Sequence, residues 1–129
     1  MKNILVIEDN ALTRRVLAEW LRFYSEEWRI HTAANGRLGV ELMETADMDL
    51  VLTDLDMPVM NGYEVLAHAG KHYPSVPFLV MTGNSDPGGM ARLRSIGITE
   101  VVNKPFDFRK LAHLIENNFS TVGSPVLVG

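Results

Sequence analysis

Short, continuous apolar runs alternate along this chain with longer stretches whose apolar residues recur every three to four positions. Ile4-Leu5-Val6-Ile7 is an uninterrupted, β-branched run and predicts a strand buried on both faces. Leu12, Val16, Leu17, Trp20, Leu21 and Tyr24 follow at helical spacing and predict a first helix with that face inward. Trp28–Ala33, carrying Ile30 and Thr32, predicts a weaker strand at a sheet edge. Asn35-Gly36 signals a turn, and Leu38, Leu42 and Met43 mark a second helix. Leu50-Val51-Leu52 is a second buried run and ends at Thr53-Asp54. Gly62 opens a third helix to about His72, with Val65, Leu66 and Ala69 inward, and Pro74 and Pro77 bracket the turn into a fourth strand, Phe78–Met81. The stretch from Gly83 to Gly89 is rich in glycine and reads as a loop. Met90, Leu93 and Ile96 mark a fourth helix that stops near Gly97. Val101-Val102 is a short fifth strand, and Leu111, Leu114, Ile115 and Phe119 lie inward on a last helix after Pro105.

Strands alternating with helices predict an α/β domain whose parallel sheet is covered on both faces. At 129 residues the chain has the size of one domain. Residues 1–120 carry the pattern, and residues 121–129, past the last helical periodicity, read as a flexible tail or the start of a linker. Composition adds mainly exclusions. With 47% hydrophobic and 22% charged residues there is material for one core and a charged surface. A net charge of −4 without a run of Lys or Arg argues against direct nucleic-acid binding. The lack of cysteine removes disulfides and thiolate metal sites. The first apolar run is too short for a secretory signal or a membrane span, so a cytoplasmic location off the membrane is expected.

Ligands of open α/β sheets bind outside the carboxyl ends of the strands. Here those ends carry Glu8-Asp9, Asp54, Thr82 and, just past the fifth strand, Lys104. Each alone has an ordinary explanation as a cap or turn residue. Together they make a set. Clustered carboxylates repel one another unless a cation sits among them. Oxygen ligands without His or Cys suit Mg²⁺, with Mn²⁺ as a substitute. An ammonium and a hydroxyl nearby suit phosphoryl oxygens. The set is built for a carboxylate nucleophile, a metal and a phosphoryl group.

In this order and spacing the residues resemble the receiver domain of bacterial two-component response regulators, over about residues 1–120. Glu8-Asp9 is similar to the family's acidic pair. Asp54-Leu55-Asp56-Met57-Pro58-Val59-Met60-Asn61-Gly62 is similar to its phosphoacceptor segment. Met81-Thr82-Gly83 resembles its switch hydroxyl, and Val102-Asn103-Lys104-Pro105-Phe106 its Lys-Pro turn. The resemblance implies a single flavodoxin-like (βα)5 domain with sheet order 2-1-3-4-5 and a cis peptide at Lys104-Pro105. It implies that Asp54 accepts a phosphoryl group from a histidine kinase, a phosphotransfer protein or a small phosphodonor. Glu8, Asp9, Asp54 and the backbone carbonyl of Asp56 would hold Mg²⁺. Lys104 and Thr82 would meet the phosphoryl oxygens. Such a domain is a regulatory phosphoacceptor rather than an enzyme. Its conformational change would act on an effector protein or an output domain, and a phosphorylation-dependent homodimer is compatible with it.

Two departures stand out. Val101 occupies a position where many relatives carry an aromatic switch residue, and a β-branched side chain has no ring to swing. That leaves Thr82 and the Gly83–Gly89 segment to carry the signal, and keeps a docking-only pseudo-receiver in view. Asp56 adds a further acid beside the site. Asp54-Leu55-Asp56 also fits the Asp-x-Asp of haloacid-dehalogenase phosphatases, but that family puts its nucleophile on its first strand and has a different residue where Pro58 stands. Other features have plainer readings. His68 and His72 are a solvated pair lacking a third metal ligand. Met43, Met48, Met57, Met60, Met81 and Met90 are core filler. Trp20 packs on the inner face of the first helix. Gly88-Gly89 lacks the Lys and the spacing of a phosphate-binding loop. Arg92, Arg94, Arg109 and Lys110 form a solvated face that in relatives meets partners.

Overall fold

A computed structural model describes residues 1–83, 87–98, 101–105 and 107–123, with the side chains of 87 and 120–123 excepted. The element order is β1 (Lys2–Ile7), α1 (Ala11–Tyr24), β2 (Trp28–Ala33), α2 (Gly36–Thr45), β3 (Leu50–Asp54), α3 (Gly62–His72), β4 (Phe78–Thr82), α4 (Pro87–Ser95), β5 (Val101–Asn103) and α5 (Phe108–Gly123). The strands form one five-stranded sheet in the order β2-β1-β3-β4-β5. All its pairings are parallel. The expected fold and strand order are those observed, and the edge position of β2 follows the weaker pattern of Trp28–Ala33.

The central strands show why their sequences are apolar throughout. Ile4, Val6, Leu50, Leu52, Leu79 and Met81 turn to one face, where Leu17, Leu21, Leu111 and Ile115 of α1 and α5 meet them. Leu5, Ile7 and Val51 turn to the other face, against Met43, Val65 and Ala69 of α2 and α3. Successive strand residues point to opposite faces, so a strand covered on both sides must be apolar at every position. A smaller third cluster joins Leu55, Leu66, Val80 and Leu93, with Tyr63, Met90 and Val101 packed against it. The methionines fill gaps as expected: Met43, Met48, Met57 and Met81 are buried.

Aromatic rings tie α1 to α5. Trp20 stacks on Tyr24 at 5.4 Å and on Phe108 at 5.5 Å, and Tyr24 hydroxyl donates to Glu116 Oε1 at 2.7 Å. Helix α3 is fixed at its start by a capping box, Asn61 with Glu64. Gly62 sits so tightly there that a Cβ would come within 2.3 Å of the Asp54 carbonyl oxygen. Its N–H donates to Leu55 O at 2.9 Å, which fastens α3 to the end of β3.

Several sequence expectations need correction. Leu12 and Val16 share the predicted inner face of α1 but are 69% and 41% exposed. They lie in the first turns of the helix, outside the core cluster that buries Leu17, Ala18 and Leu21. Leu38 on α2 and Ile96 after α4 are exposed for the same reason, since each lies at the end of its helix's apolar stripe. Part of the Gly83–Gly89 loop is helical, because α4 begins at Pro87. Proline suits a first helical position, where its missing N–H would have no helical partner. Gly97, at φ 91, ends that segment in the left-handed region that glycine tolerates. Helix α5 runs to Gly123, so the first residues of the span expected to be a tail are helical. Residues 84–86, 99–100, Phe106 and 124–129 lie outside the described residues.

Candidate functional site

The carboxyl ends of β1, β3, β4 and β5 bring the expected side chains together. The registers Ile7↔Thr53, Asp54↔Met81 and Thr82↔Asn103 align these ends along one edge. Backbone bonds extend the ladders just past the strands, from Glu8 N–H to Ala33 O at 3.0 Å and from Lys104 N–H to Thr82 O at 2.8 Å. Asp54 is the last residue of β3 and is buried, as are Glu8 and Thr82. Asp9 and Asp56 are exposed, and Lys104 is half-buried. The Lys104-Pro105 peptide is cis, as expected.

Lys104 bridges two acids. Its Nζ lies 2.5 Å from Glu8 Oε1 and 2.9 Å from Asp54 Oδ2. The Asn10 backbone N–H donates to the other Glu8 oxygen at 3.0 Å, and the Asp56 N–H to Asp54 Oδ1 at 3.3 Å. Burial raises the Glu8 carboxyl above its ordinary value, against the pull of Lys104 and Asn10; the negative Asp54 adds to the rise. Burial alone would lower Lys104, but its hydrogen bonds to Glu8 and Asp54 and their charges raise it overall. Lys104 is therefore a firmly held cation.

Glu8, Asp9 and Asp54 each offer a carboxylate oxygen, and these oxygens lie within 4.8 Å of one another. One ammonium cannot neutralise three carboxylates. The donor set is all oxygen, so the residues present fit a hard divalent cation. The His68 and His72 rings lie 4.4 Å apart on α3, tilted by 41°, and among the described residues no third metal ligand joins them.

Three features escaped the sequence reading. Asn10 caps α1, accepting from Thr13 N–H at 2.9 Å while its own N–H orients Glu8. Arg14 Nη1 donates to the Glu8 carbonyl at 2.9 Å and lies 3.5 Å from the Asp9 carbonyl. A signal existed for the first alone: an Asx residue before a helical pattern. Third, the exposed Leu12 and Val16 line an open groove of about 500 Å³ with Thr13, Lys104, Pro105 and Phe108, directly beside the site. Only packing could reveal that groove. The loop after Asp54 also holds a tight turn at Val59, at φ 72, closed by Met60 N–H to Pro58 O at 2.8 Å.

Fold and site thus define a doubly wound α/β domain with an acidic, lysine-bridged pocket at the carboxyl edge of its sheet. The response regulator receiver domain family matches residues 4–116, and the chain belongs to that family. It is 32% identical over 116 residues to hybrid signal transduction histidine kinase D of Dictyostelium discoideum, a match covering 88% of this chain and 7% of that protein. It is 30% identical over 115 residues to the regulator of RpoS of Escherichia coli K12, covering 88% of this chain and 34% of the relative. The chain therefore spans about a third or less of such relatives' length. Among solved structures it superimposes on a CheY-like receiver domain protein of Methanospirillum hungatei with a TM-score of 0.87 at 25% identity, covering 94% of this chain and 95% of the other. Chemotaxis protein CheY4 of Vibrio cholerae gives a TM-score of 0.83 at 25% identity, covering 91% and 98%. This chain is a receiver domain of two-component signalling, and the phosphatase and docking-only readings are not favoured. Among the described residues no helix is long and apolar enough to cross a membrane.

Proposed function

We propose that Asp54 is the phosphoacceptor and that Glu8, Asp9, Asp54 and the Asp56 carbonyl hold Mg²⁺ beside it. The observation that carries this reading is the Asp54 carboxylate, buried at the end of β3, hydrogen-bonded to Lys104 Nζ at 2.9 Å and grouped with two further carboxylates. Bound Mg²⁺ supplies charge compensation for the acids and for the phosphoryl oxygens. An Asp54 oxygen attacks phosphorus in line, forming an acyl phosphate, as the bond to the donor nitrogen or oxygen breaks. Lys104, already placed between Asp54 and Glu8, shifts its hydrogen bonds to the incoming phosphoryl oxygens, and Thr82 follows from the end of β4. The chain is taken up as a stoichiometric acceptor, not a turnover catalyst. Acetyl phosphate with Mg²⁺ should add one phosphoryl group per chain by intact mass. Asp54→Asn should add none while unfolding like the wild type. Undiminished labelling of that variant, or repeated turnover of p-nitrophenyl phosphate by the wild type, sinks the reading.

The groove of Leu12, Val16, Pro105 and Phe108 gives a phosphodonor protein an apolar surface next to Lys104. A histidine kinase or phosphotransfer protein docked there brings its phosphohistidine within reach of Asp54. Leu12→Ser should slow phosphorylation by the protein donor at least tenfold and leave acetyl phosphate labelling unchanged. Equal slowing with both donors would place the defect in the site instead. Donors of this kind draw on ATP, which fits a cytoplasmic setting. Downstream, the phosphorylated domain acts on an effector protein or on an output domain of a longer chain.

A further inference from the structure

The three carboxylates of the cluster are not held alike. Glu8 is buried, and both its oxygens are engaged, by Lys104 and by the Asn10 N–H. Asp54 is buried and receives Lys104 and the Asp56 N–H. Asp9 is exposed, and among the described residues no donor reaches its carboxylate. Its aim is therefore set by its backbone.

That backbone is held from α1. Arg14 Nη1 donates to the carbonyl of Glu8 at 2.9 Å and approaches that of Asp9 at 3.5 Å, the two peptide units that flank the Asp9 Cα. Arg14 is half-buried, and its own N–H donates to Asn10 O at 2.9 Å in the first turn of α1. The side chain thus folds back over the junction between strand and helix. A charged donor makes such bonds shorter and firmer than neutral ones.

We propose that Arg14 is a positioning residue for the metal site: by holding the carbonyls of Glu8 and Asp9 it aims the unpartnered Asp9 carboxylate into the space it shares with Glu8 and Asp54, and so sets the affinity for Mg²⁺. This rests on the reading that the acidic cluster holds Mg²⁺. Two effects of Arg14 oppose each other. Its positive charge repels a dication, so its removal by charge alone tightens binding. Its hydrogen bonds restrain a ligand, so their removal loosens binding. The geometry favours the restraint: the guanidinium is spent on carbonyl oxygens, and among the described residues it forms no ion pair with the cluster. Its repulsion is also screened at the exposed rim.

The test is a Mg²⁺ titration of the full chain, followed by calorimetry and by the amide resonances of residues 8–10, for wild type, Arg14→Gln and Arg14→Lys. Metal-free thermal unfolding is measured alongside. Loss of an orienting partner of a metal ligand typically costs 10–100-fold, so Arg14→Gln should weaken Mg²⁺ binding by roughly tenfold. Arg14→Lys, which keeps the charge and can reach one carbonyl, should fall between. Unchanged or tighter binding by Arg14→Gln overturns the proposal. So does a loss that merely tracks lowered metal-free stability and is not relieved by lysine. If the wild type shows no saturable Mg²⁺ response, the metal reading fails and the role of Arg14 with it. Wild-type binding with an unmoved Arg14→Gln removes the Arg14 role alone.

Discussion

Helices α1 and α4 both follow strands that end at the site, yet they are held very differently. Helix α1 has 14 residues, an asparagine cap, three buried side chains in Leu17, Ala18 and Leu21, and aromatic stacking onto α5. Helix α4 has nine residues, and among its described side chains Leu93 alone is fully buried. Met90 packs at the edge of the third cluster, and the Arg92 guanidinium lies 3.8 Å from the centre of the Tyr63 ring on α3. The contrast divides labour. On the proposed reading the Glu8-Asp9 end of the site stays fixed to present carboxylates, and α1 anchors it. On the same reading the Thr82 end responds to a phosphoryl group, and the helix that follows it is lightly docked. Elements that move belong to the weakly held part of a fold. Val101 is packed into the third cluster and offers no ring at that position, so on the proposed reading a change at Thr82 would act through α4.

The comparison can be broken by experiment. The largest effect should come from emptying each helix's anchor. Leu21→Ala leaves a cavity in the main core and should cost about 3–4 kcal/mol in urea unfolding. Leu93→Ala, in the smaller cluster, should cost about 2 kcal/mol. The second loss should appear first as faster amide exchange confined to α4. Equal, global losses would contradict the division. A smaller effect is expected from Arg92→Ala. Removing one cation–π contact should cost about 0.5–1 kcal/mol, with faster exchange across residues 90–95 and none across α1. Unaltered exchange in α4 would show that the Tyr63 contact fastens nothing.

The smallest effect sharpens the comparison from the well-held side. His31 on β2 has its ring nitrogen 3.1 Å from Asn3 Oδ1. Burial, then the charges of Arg29 and Arg22, lowers its pKa below the ordinary 6.5. The folded state thus prefers the neutral ring, and the unfolded chain takes up the proton first. The stability this preference contributes is complete above about pH 6.5 and is lost as pH falls toward the folded-state value. His31→Gln should flatten the decline in stability on acidification below pH 6.5, read from urea midpoints across that range. An identical slope in both proteins would show that His31 has no part in it.

Much of the site was legible in the sequence because its residues sit at places the pattern marks. A carboxylate ending an apolar run is at a strand end, and parallel sheets put all such ends on one edge. Glu8, Asp54, Thr82 and Lys104 were readable in that way. Arg14 was not, because its contribution is a side-chain bond to carbonyls that periodicity does not describe. Leu12, Val16 and Ile96 were misread because spacing shows which side chains share a helix face, not how far the sheet beneath extends.

The sequence by itself determined the elements, their order and the chemistry available at one edge, since local periodicity and strand-end residues depend on neighbours a few positions away. Only the tertiary structure decided which apolar residues face solvent beside Lys104. It also decided that Lys104 spans Glu8 and Asp54, and that Arg14 closes on the backbone of the acidic pair. The first two depend on distances between residues far apart in the chain, set by the packing of helices on the sheet; the Arg14 contact spans only five and six residues but needs the strand-to-helix junction in its folded geometry. No local pattern encodes them.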